Sequence, residues 1–170
     1  CPTLGSRTIT TNGVSKAYAM TGWRIGYAAG PLELINAMKT IQSQSTSNPC
    51  SVSQAAAEAA LDGDQSVVAG MTAAYRQRHD YFTAALNEID GFRCRPGEGT
   101  FYSFPHVGET LHRLELKDDF ELVERLLQDA DVACVPGSAF GAPNYLRLSF
   151  ACSMQQLEEA VRRIKRVVAA

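Results

Sequence analysis

The sequence lacks the patterns that mark several large classes of protein. It has no CxxC pair and no zinc-ligand spacing, and its five cysteines are odd in number and irregularly spaced. No apolar run approaches the roughly 18 residues of a membrane span. The net charge is -2 with both signs interspersed, so no basic face indicates nucleic acid. We therefore expect reduced, mostly buried thiols in a cytoplasmic protein that binds neither nucleic acid nor membrane.

What is present is the composition of a globular chain, with 45% hydrophobic and 20% charged residues. A length of 170 residues allows one domain or one and a half. The first residue is Cys1 rather than methionine, and the chain opens without a recognisable start. We therefore expect a fragment of a longer protein, in which a functional site can be only partly present.

Strand and helix signals alternate in the first part of the chain. Residues 8–11 and the apolar run 25–29 predict two strands. Apolar residues at three-residue steps over 31–43 predict an amphipathic helix. An alanine-rich helix is expected over 54–62, with Ser53 as its cap. This alternation is typical of an α/β arrangement.

The pattern changes after a long helix, which an apolar period of 3.6 residues predicts over 65–89. Beyond it the chain has the signals of a compact α+β module. We expect strands over 92–95, 100–105, 132–135 and 145–150, and helices over 118–130 and 153–168, the last capped by Ser153.

The segment 15–27 contains two candidate functional residues. Lys16 follows a serine, and Arg24 lies between two glycines and next to a tryptophan. An amine can condense with an aldehyde, and a guanidinium can hold a phosphate dianion as a fork. A pyridoxal phosphate site needs these two groups. Each residue also has an ordinary interpretation, since Lys16 can be a solvated lysine and Arg24 a strand-end arginine paired with a carboxylate.

A third cation lies in the segment 145–150. Strand alternation places Leu146 and Leu148 on one face and Arg147 on the other. Spacing alone does not distinguish a carboxylate-binding arginine from an exposed one.

The run Asn-Gly-Val-Ser-Lys-x-x-x-Met-Thr-Gly-Trp-Arg-Ile-Gly-Tyr, which begins at Asn12, resembles the lysine region of fold-type I aminotransferases of the aspartate aminotransferase type. The resemblance covers essentially all 170 residues. It implies that pyridoxal 5'-phosphate is the cofactor, that Lys16 binds it covalently and transfers the substrate proton, and that Arg24 holds its phosphate. It also implies that Arg147 binds the α-carboxylate of the substrate.

The same resemblance implies an organisation and an assembly. Residues 1–64 would be the C-terminal part of the large cofactor-binding domain, 65–90 a linking helix, and 91–170 a small C-terminal domain that closes over the substrate. A homodimer is typical of the family. Asn48-Pro49 resembles a segment that a neighbouring subunit contributes to the active site.

Some positions depart from the family pattern or leave its roles open. Gly13 stands where many relatives have a phosphate-binding serine, and Ser43 where one branch has an arginine for the substrate side-chain carboxylate. The aspartate, asparagine, tyrosine and aromatic residue that hold the cofactor ring in the family are not among residues 1–11. Phe101-Tyr102 and Phe140 lie in segments that resemble substrate-entrance loops, although such aromatics are more often core residues.

These observations favour an aminotransferase that moves an amino group from an amino acid to a 2-oxo acid, with 2-oxoglutarate as the acceptor. The form of the motif is similar to that of bacterial aspartate aminotransferases, some of which also accept prephenate. A β-lyase or a decarboxylase on the same scaffold is the alternative reaction. A fragment that binds no cofactor, or a non-catalytic interaction module, is the alternative outside enzymology.

Overall fold

The computed structural model describes residues 2–169, with side-chain burial from residue 4 onward. The chain divides into two compact units, Cys1–Gly70 and Met71–Ala170. Both contain helices and strands, so the fold is mixed α and β, as expected. Within the described residues, no helix is both long enough and apolar enough to cross a membrane.

The first unit is a two-stranded hairpin followed by helices. Its elements are a 3-10 helix over Pro2–Arg7, β1 (Thr10–Gly13), a 3-10 helix over Thr21–Trp23, β2 (Gly26–Ala29), α1 (Leu32–Ser45), α2 (Ser51–Asp62) and the start of α3 (Ser66–Asn87). The strands are antiparallel, with Thr10 opposite Ala29 and Gly13 opposite Gly26. Both predicted strands form, although β1 lies two residues later than expected. Because pairing ends at Gly13 and Gly26, residues 14–25 leave and re-enter the same end of the hairpin.

The core of the first unit is small. Its buried apolar residues are Val14, Ile25 and Ala57. The predicted amphipathic helix forms as α1, but none of its residues is buried, and Leu32 and Ile41 are 74% and 72% exposed. The period therefore predicted the helix correctly, and no other element of the described chain buries its apolar residues.

The second unit contains most of α3 and a three-stranded antiparallel sheet. Its further elements are β3 (Tyr102–Ser103), α4 (Gly108–Arg113), α5 (Asp119–Ala130), β4 (Val135–Pro136), a 3-10 helix over Gly137–Phe140, β5 (Leu146–Ser149) and α6 (Met154–Val168). The strand order is β3-β5-β4, so β5 is central. Tyr102 of β3 pairs with Ser149, and Val135 of β4 pairs with Arg147.

The core of the second unit forms because the predicted periods meet there. Leu146 and Leu148 of β5 point inward, together with the apolar stripe of α6 that includes Ile164. The predicted cap of α6 is confirmed, since the Ser153 hydroxyl accepts from the Gln156 N–H and the Gln156 side chain accepts from the Ser153 N–H. Local signals of this kind fix where α6 begins.

Some local predictions were wrong, and one helix was missed. Helix α2 starts after Cys50, and Ser53 is a buried residue inside the helix rather than its cap. Proline at position 49 limits how far the helix extends toward its N-terminus, because its fixed backbone suits the approach to a helix and not its interior. The expected strand over 92–95 is reduced to one bridge between Arg93 and His106. Helix α4 was not expected.

The cysteines of the described chain are all free thiols. Cys94 is buried, Cys134 and Cys152 are partly buried, and Cys50 is exposed. The expectation of reduced and mostly buried thiols therefore fails for Cys50, while Cys1 lies outside the described residues.

Candidate functional site

The hairpin of the first unit closes tightly at the end from which the lysine segment emerges. A Cβ atom added to Gly13 would lie 3.0 Å from the Ile25 carbonyl oxygen, so a side chain there would push the two strands apart. Val14 and Ile25, the residues just beyond the last pair, are both buried. Both ends of the connecting segment 14–25 are therefore fixed, and this segment contains Lys16 and Arg24.

Lys16 lies in a turn three residues beyond β1. The Tyr18 N–H donates to the Val14 carbonyl at 3.3 Å, and the Ala19 N–H donates to the Lys16 carbonyl at 3.2 Å. Ala19 then adopts a left-handed backbone with φ of 53°, which is rare for a residue with a side chain. A strained residue next to a chemically interesting one is a reason to look for function there.

Arg24 lies on the other side of the same connection, two residues before β2. It follows the 3-10 helix Thr21–Trp23 and has left-handed backbone angles of 55° and 45°. Its Nη1 donates to the Thr21 carbonyl at 2.9 Å. This bond uses one of the five guanidinium N–H groups, and the bent backbone re-aims the side chain relative to the strand that follows.

Both cations are exposed, which differs from the desolvated environment that the sequence suggested. The physical reason is the small core of the first unit, which has only the apolar cluster around Val14, Ile25 and Ala57 to cover this end of the hairpin in the described chain. The structure thus brings Lys16 and Arg24 to one end of the hairpin without enclosing them.

Arg147 is partly buried on the central strand of the second unit. The predicted alternation is confirmed, since Leu146 and Leu148 are buried on the opposite face. Its guanidinium carbon lies 4.5 Å from the centre of the Tyr102 ring and 4.5 Å from that of Phe140. Across the described residues the guanidinium has no hydrogen bond or ion pair to another protein group. A shielded cation without an anion is suited to binding one.

The aromatic residues around Arg147 were not expected to act together. Phe101 packs against the core, as the commoner interpretation predicts, whereas Phe140 is 51% exposed and contacts the guanidinium instead. The Tyr102 ring contacts the same guanidinium. Residues so far apart in sequence give no local signal of this contact, which depends on how β3 and β4 pair with β5.

The remaining sequence candidates lie in a connection between helices. Ser43 is near the end of α1 and donates to the Thr40 carbonyl at 2.7 Å. Asn48 is exposed between α1 and α2, and its side-chain amide donates to the Pro49 carbonyl at 2.8 Å. Neither contact joins these residues to Lys16 or Arg24.

Comparison with known proteins shows to which family this chain is related. The model for the family described as aminotransferase class I and II matches residues 3–164. The aspartate/prephenate aminotransferase of Nitrosomonas europaea is 54% identical, in an alignment that covers 96% of this chain and 43% of the relative. The aspartate aminotransferase of Rhizobium meliloti is 51% identical over 96% of this chain and 41% of the relative.

Solved structures give the same result. The crystal structure of the aspartate aminotransferase from Rhizobium meliloti matches with a TM-score of 0.91 and 46% identity, over 99% of this chain and 44% of that one. The aromatic aminotransferase from Pyrococcus horikoshii matches with a TM-score of 0.89 and 38% identity, over 97% and 44%. This chain spans less than half the length of these relatives. It belongs to the class I and II aminotransferase family.

Proposed function

We propose that this chain is the C-terminal part of a pyridoxal phosphate-dependent aminotransferase of the aspartate aminotransferase type. The reaction is transfer of an amino group from an amino acid to a 2-oxo acid, with 2-oxoglutarate as acceptor. The observation that carries the proposal is the placement of Lys16 and Arg24 at one end of the hairpin β1–β2, in a chain about half identical to aspartate aminotransferases.

The residues present fit the cofactor by the chemistry of their donors. Lys16 supplies the primary amine for the cofactor aldehyde, and Arg24 keeps guanidinium N–H groups beyond the one that Thr21 accepts. Arg24 would hold the phosphate, because a planar cation can bind a phosphate through two parallel hydrogen bonds. When bound, the cofactor supplies an electron sink for the bonds at the substrate Cα.

The protein's own groups then have separate tasks. The Lys16 amine, when it is not bonded to the cofactor, takes the proton from the substrate Cα and returns it elsewhere, as a general base and then a general acid. Arg147 binds the substrate α-carboxylate with the edge of its guanidinium. A partly buried position strengthens this attraction, since fewer water molecules screen the charge there.

Domain arrangement, assembly and location are part of the same proposal. Residues 1–64 would belong to the large cofactor-binding domain, 65–90 to the linking helix and 91–170 to the small domain. We infer a cytoplasmic homodimer with amino-acid and 2-oxo-acid substrates. The family membership and the similarity to aspartate aminotransferases support each of these statements.

One observation favours a second interpretation for the 170-residue chain taken by itself. Lys16 and Arg24 are both exposed, so nothing in the described chain withdraws the cofactor from water. The isolated chain would then be catalytically incomplete, while the full-length protein is the aminotransferase. A β-lyase or decarboxylase activity has no comparable observation in its favour.

The test compares full-length protein with two lysine variants. Lys16→Ala should abolish amino transfer and the visible absorbance of bound cofactor while the protein stays folded. Lys39→Ala, a lysine on the exposed helix α1, should keep both. Product analysis decides the reaction, since an oxo acid plus glutamate supports the proposal and pyruvate plus ammonia opposes it. Activity of Lys16→Ala near that of the wild type would refute it.

A further inference from the structure

Asp119 is the only buried residue with a charged side chain in the described part of the molecule, and its exposure is 0%. It is the first residue of α5. One carboxyl oxygen accepts from the Ser138 N–H at 2.7 Å, and the other accepts from the Ser138 hydroxyl at 2.7 Å. A buried carboxyl group is costly unless it is bonded, and here both bonds go to a single residue on another element.

Ser138 belongs to the short 3-10 helix Gly137–Phe140, called the turn below. This turn also contacts Tyr145, the residue before β5. The Gly137 N–H donates to the Tyr145 carbonyl at 2.7 Å. A Cβ atom on Gly137 would lie 2.6 Å from the Cβ of Tyr145, so the turn and the start of β5 are in direct contact. The turn is therefore tied to α5 by Asp119 and to β5 by Gly137.

The last residue of this turn is Phe140, whose ring contacts the Arg147 guanidinium. Tyr102 contacts the same guanidinium from β3, which flanks β5 on the side opposite β4. Aromatic rings that cover the faces of a guanidinium leave its edge, with the N–H groups in one plane, for a ligand. A carboxylate is planar and matches that edge with two parallel hydrogen bonds.

We propose that Asp119 is a positioning residue for carboxylate binding. Through Ser138 it holds the turn that places Phe140 against Arg147, and the contacts with the two rings hold the guanidinium in position for a carboxylate. Asp119 acts through other residues and does not touch the substrate. The proposal rests on the assignment of Arg147 to the substrate carboxylate.

NMR of the 170-residue chain measures directly the contact between Arg147 and the aromatic rings. Side-chain protons of Arg147 that face aromatic rings resonate upfield because of the ring currents. Asp119→Ala should lose most of that upfield shift, and Ser138→Ala should lose part of it, because the backbone N–H at position 138 still donates to Asp119. Asp118→Ala is the matched control, since it removes a neighbouring carboxyl group that, among the described residues, bonds only the Phe120 and Glu121 N–H groups. Asp118→Ala should leave the Arg147 shifts unchanged.

The conservative variant separates hydrogen bonding from mere packing. The amide of Asp119→Asn can accept from the Ser138 N–H and donate to the Ser138 hydroxyl, so it should retain the upfield shift. In the full-length protein, Asp119→Ala should raise KM for the amino acid and for the oxo acid about two- to fivefold, the range of a lost cation–aromatic contact, with little change in kcat.

Unchanged Arg147 shifts in folded Asp119→Ala and Ser138→Ala would overturn the proposal, and so would an equal change in Asp118→Ala. If Asp119→Ala does not fold, Ser138→Ala carries the test, because it removes only a hydroxyl. The NMR result needs neither cofactor nor substrate. In the full-length protein, borohydride reduction can fix pyridoxal 5'-phosphate to the lysine that binds it. A changed NMR shift without such a label on Lys16 would therefore reject the proposed function and keep the positioning of Arg147. The reverse result would reject only the positioning role.

Discussion

The guanidinium carbon of Arg147 and the ring centre of Tyr102 are 4.5 Å apart, across the β3–β5 pair of the second unit. The contact covers an apolar face of a cation that has no anionic partner in the described chain. This environment is consistent with the carboxylate-binding role that we propose for Arg147.

This arrangement predicts that lysine cannot replace arginine at position 147. Arg147→Lys keeps the charge but loses the two parallel hydrogen bonds and the flat stacking. We expect KM for the amino acid to rise about ten- to a hundredfold, which corresponds to about 1.5–3 kcal/mol, with a smaller change in kcat. Steady-state kinetics of the full-length protein measures both.

Arg78→Lys is the matched control, because Arg78 also lies over a ring, that of Tyr75, at 5.3 Å. Its KM should stay at the wild-type value. Equal effects of the two variants would show that Arg147 supports the fold rather than the substrate.

The two units should respond differently to the same loss of methyl groups. Ile164 on α6 is fully buried in the core of the second unit, whereas Ile41 on α1 is largely exposed. Ile164→Ala should lower the free energy of unfolding by about 2–5 kcal/mol through lost burial and an unfilled cavity. Ile41→Ala should change it by less than about 0.5 kcal/mol. Urea unfolding followed by circular dichroism measures both, and a larger loss for Ile41→Ala would contradict the packing described here.

Thiol reactivity should follow burial. The backbone N–H groups of Ser53 and Val52 at the start of α2 lower the pKa of the Cys50 thiol. Burial raises the pKa of Cys134 to about 12. Since the thiolate is the nucleophile, iodoacetamide at pH 8 should modify Cys50 well before Cys134. Peptide mass spectrometry over time gives both rates, and Cys134 reacting as fast as Cys50 would refute the prediction.

Acid should weaken the second unit through Glu159. Hydrogen bonds from Arg162, then Arg163, lower the pKa of this carboxyl group from 4.5 to about 2. A pKa that is lower in the folded state stabilises the protein fully above 4.5, and the contribution is lost as the pH falls to about 2.

We therefore expect Glu159→Gln to be less stable than the wild type at pH 7 and to lose less stability between pH 7 and pH 3. Glu158→Gln, at the neighbouring position, should behave as the wild type does. Urea unfolding at the two pH values makes the comparison. Parallel pH dependences of wild type and Glu159→Gln would show that the ion pairs contribute nothing to folding.

Predictions from the sequence succeeded where the determining signal is local. The Ser153 cap sets the start of α6, and the alternation around Arg147 follows from the geometry of any strand. The motif around Lys16 and Arg24 is equally local, and the hairpin register brings both residues to one end, while their roles toward a cofactor stay predictions.

No signal in the sequence predicts contacts between residues that are separated along the chain. Nothing near Asp119 in the sequence indicates that its carboxyl group bonds Ser138, and nothing near Phe140 indicates its contact with Arg147. The apolar period of α1 likewise cannot say whether another element covers it, because periodicity reports a helix face and not its partner. Burial and cross-strand contacts are properties of the assembled fold.

The most direct test of the account is to locate the covalent attachment of the cofactor. Full-length protein would be incubated with pyridoxal 5'-phosphate, reduced with borohydride, digested and analysed by mass spectrometry. We expect a single reduced label on Lys16, with Lys39, Lys117 and Lys165 unmodified. A label spread over the four lysines, or absent from Lys16, would contradict it.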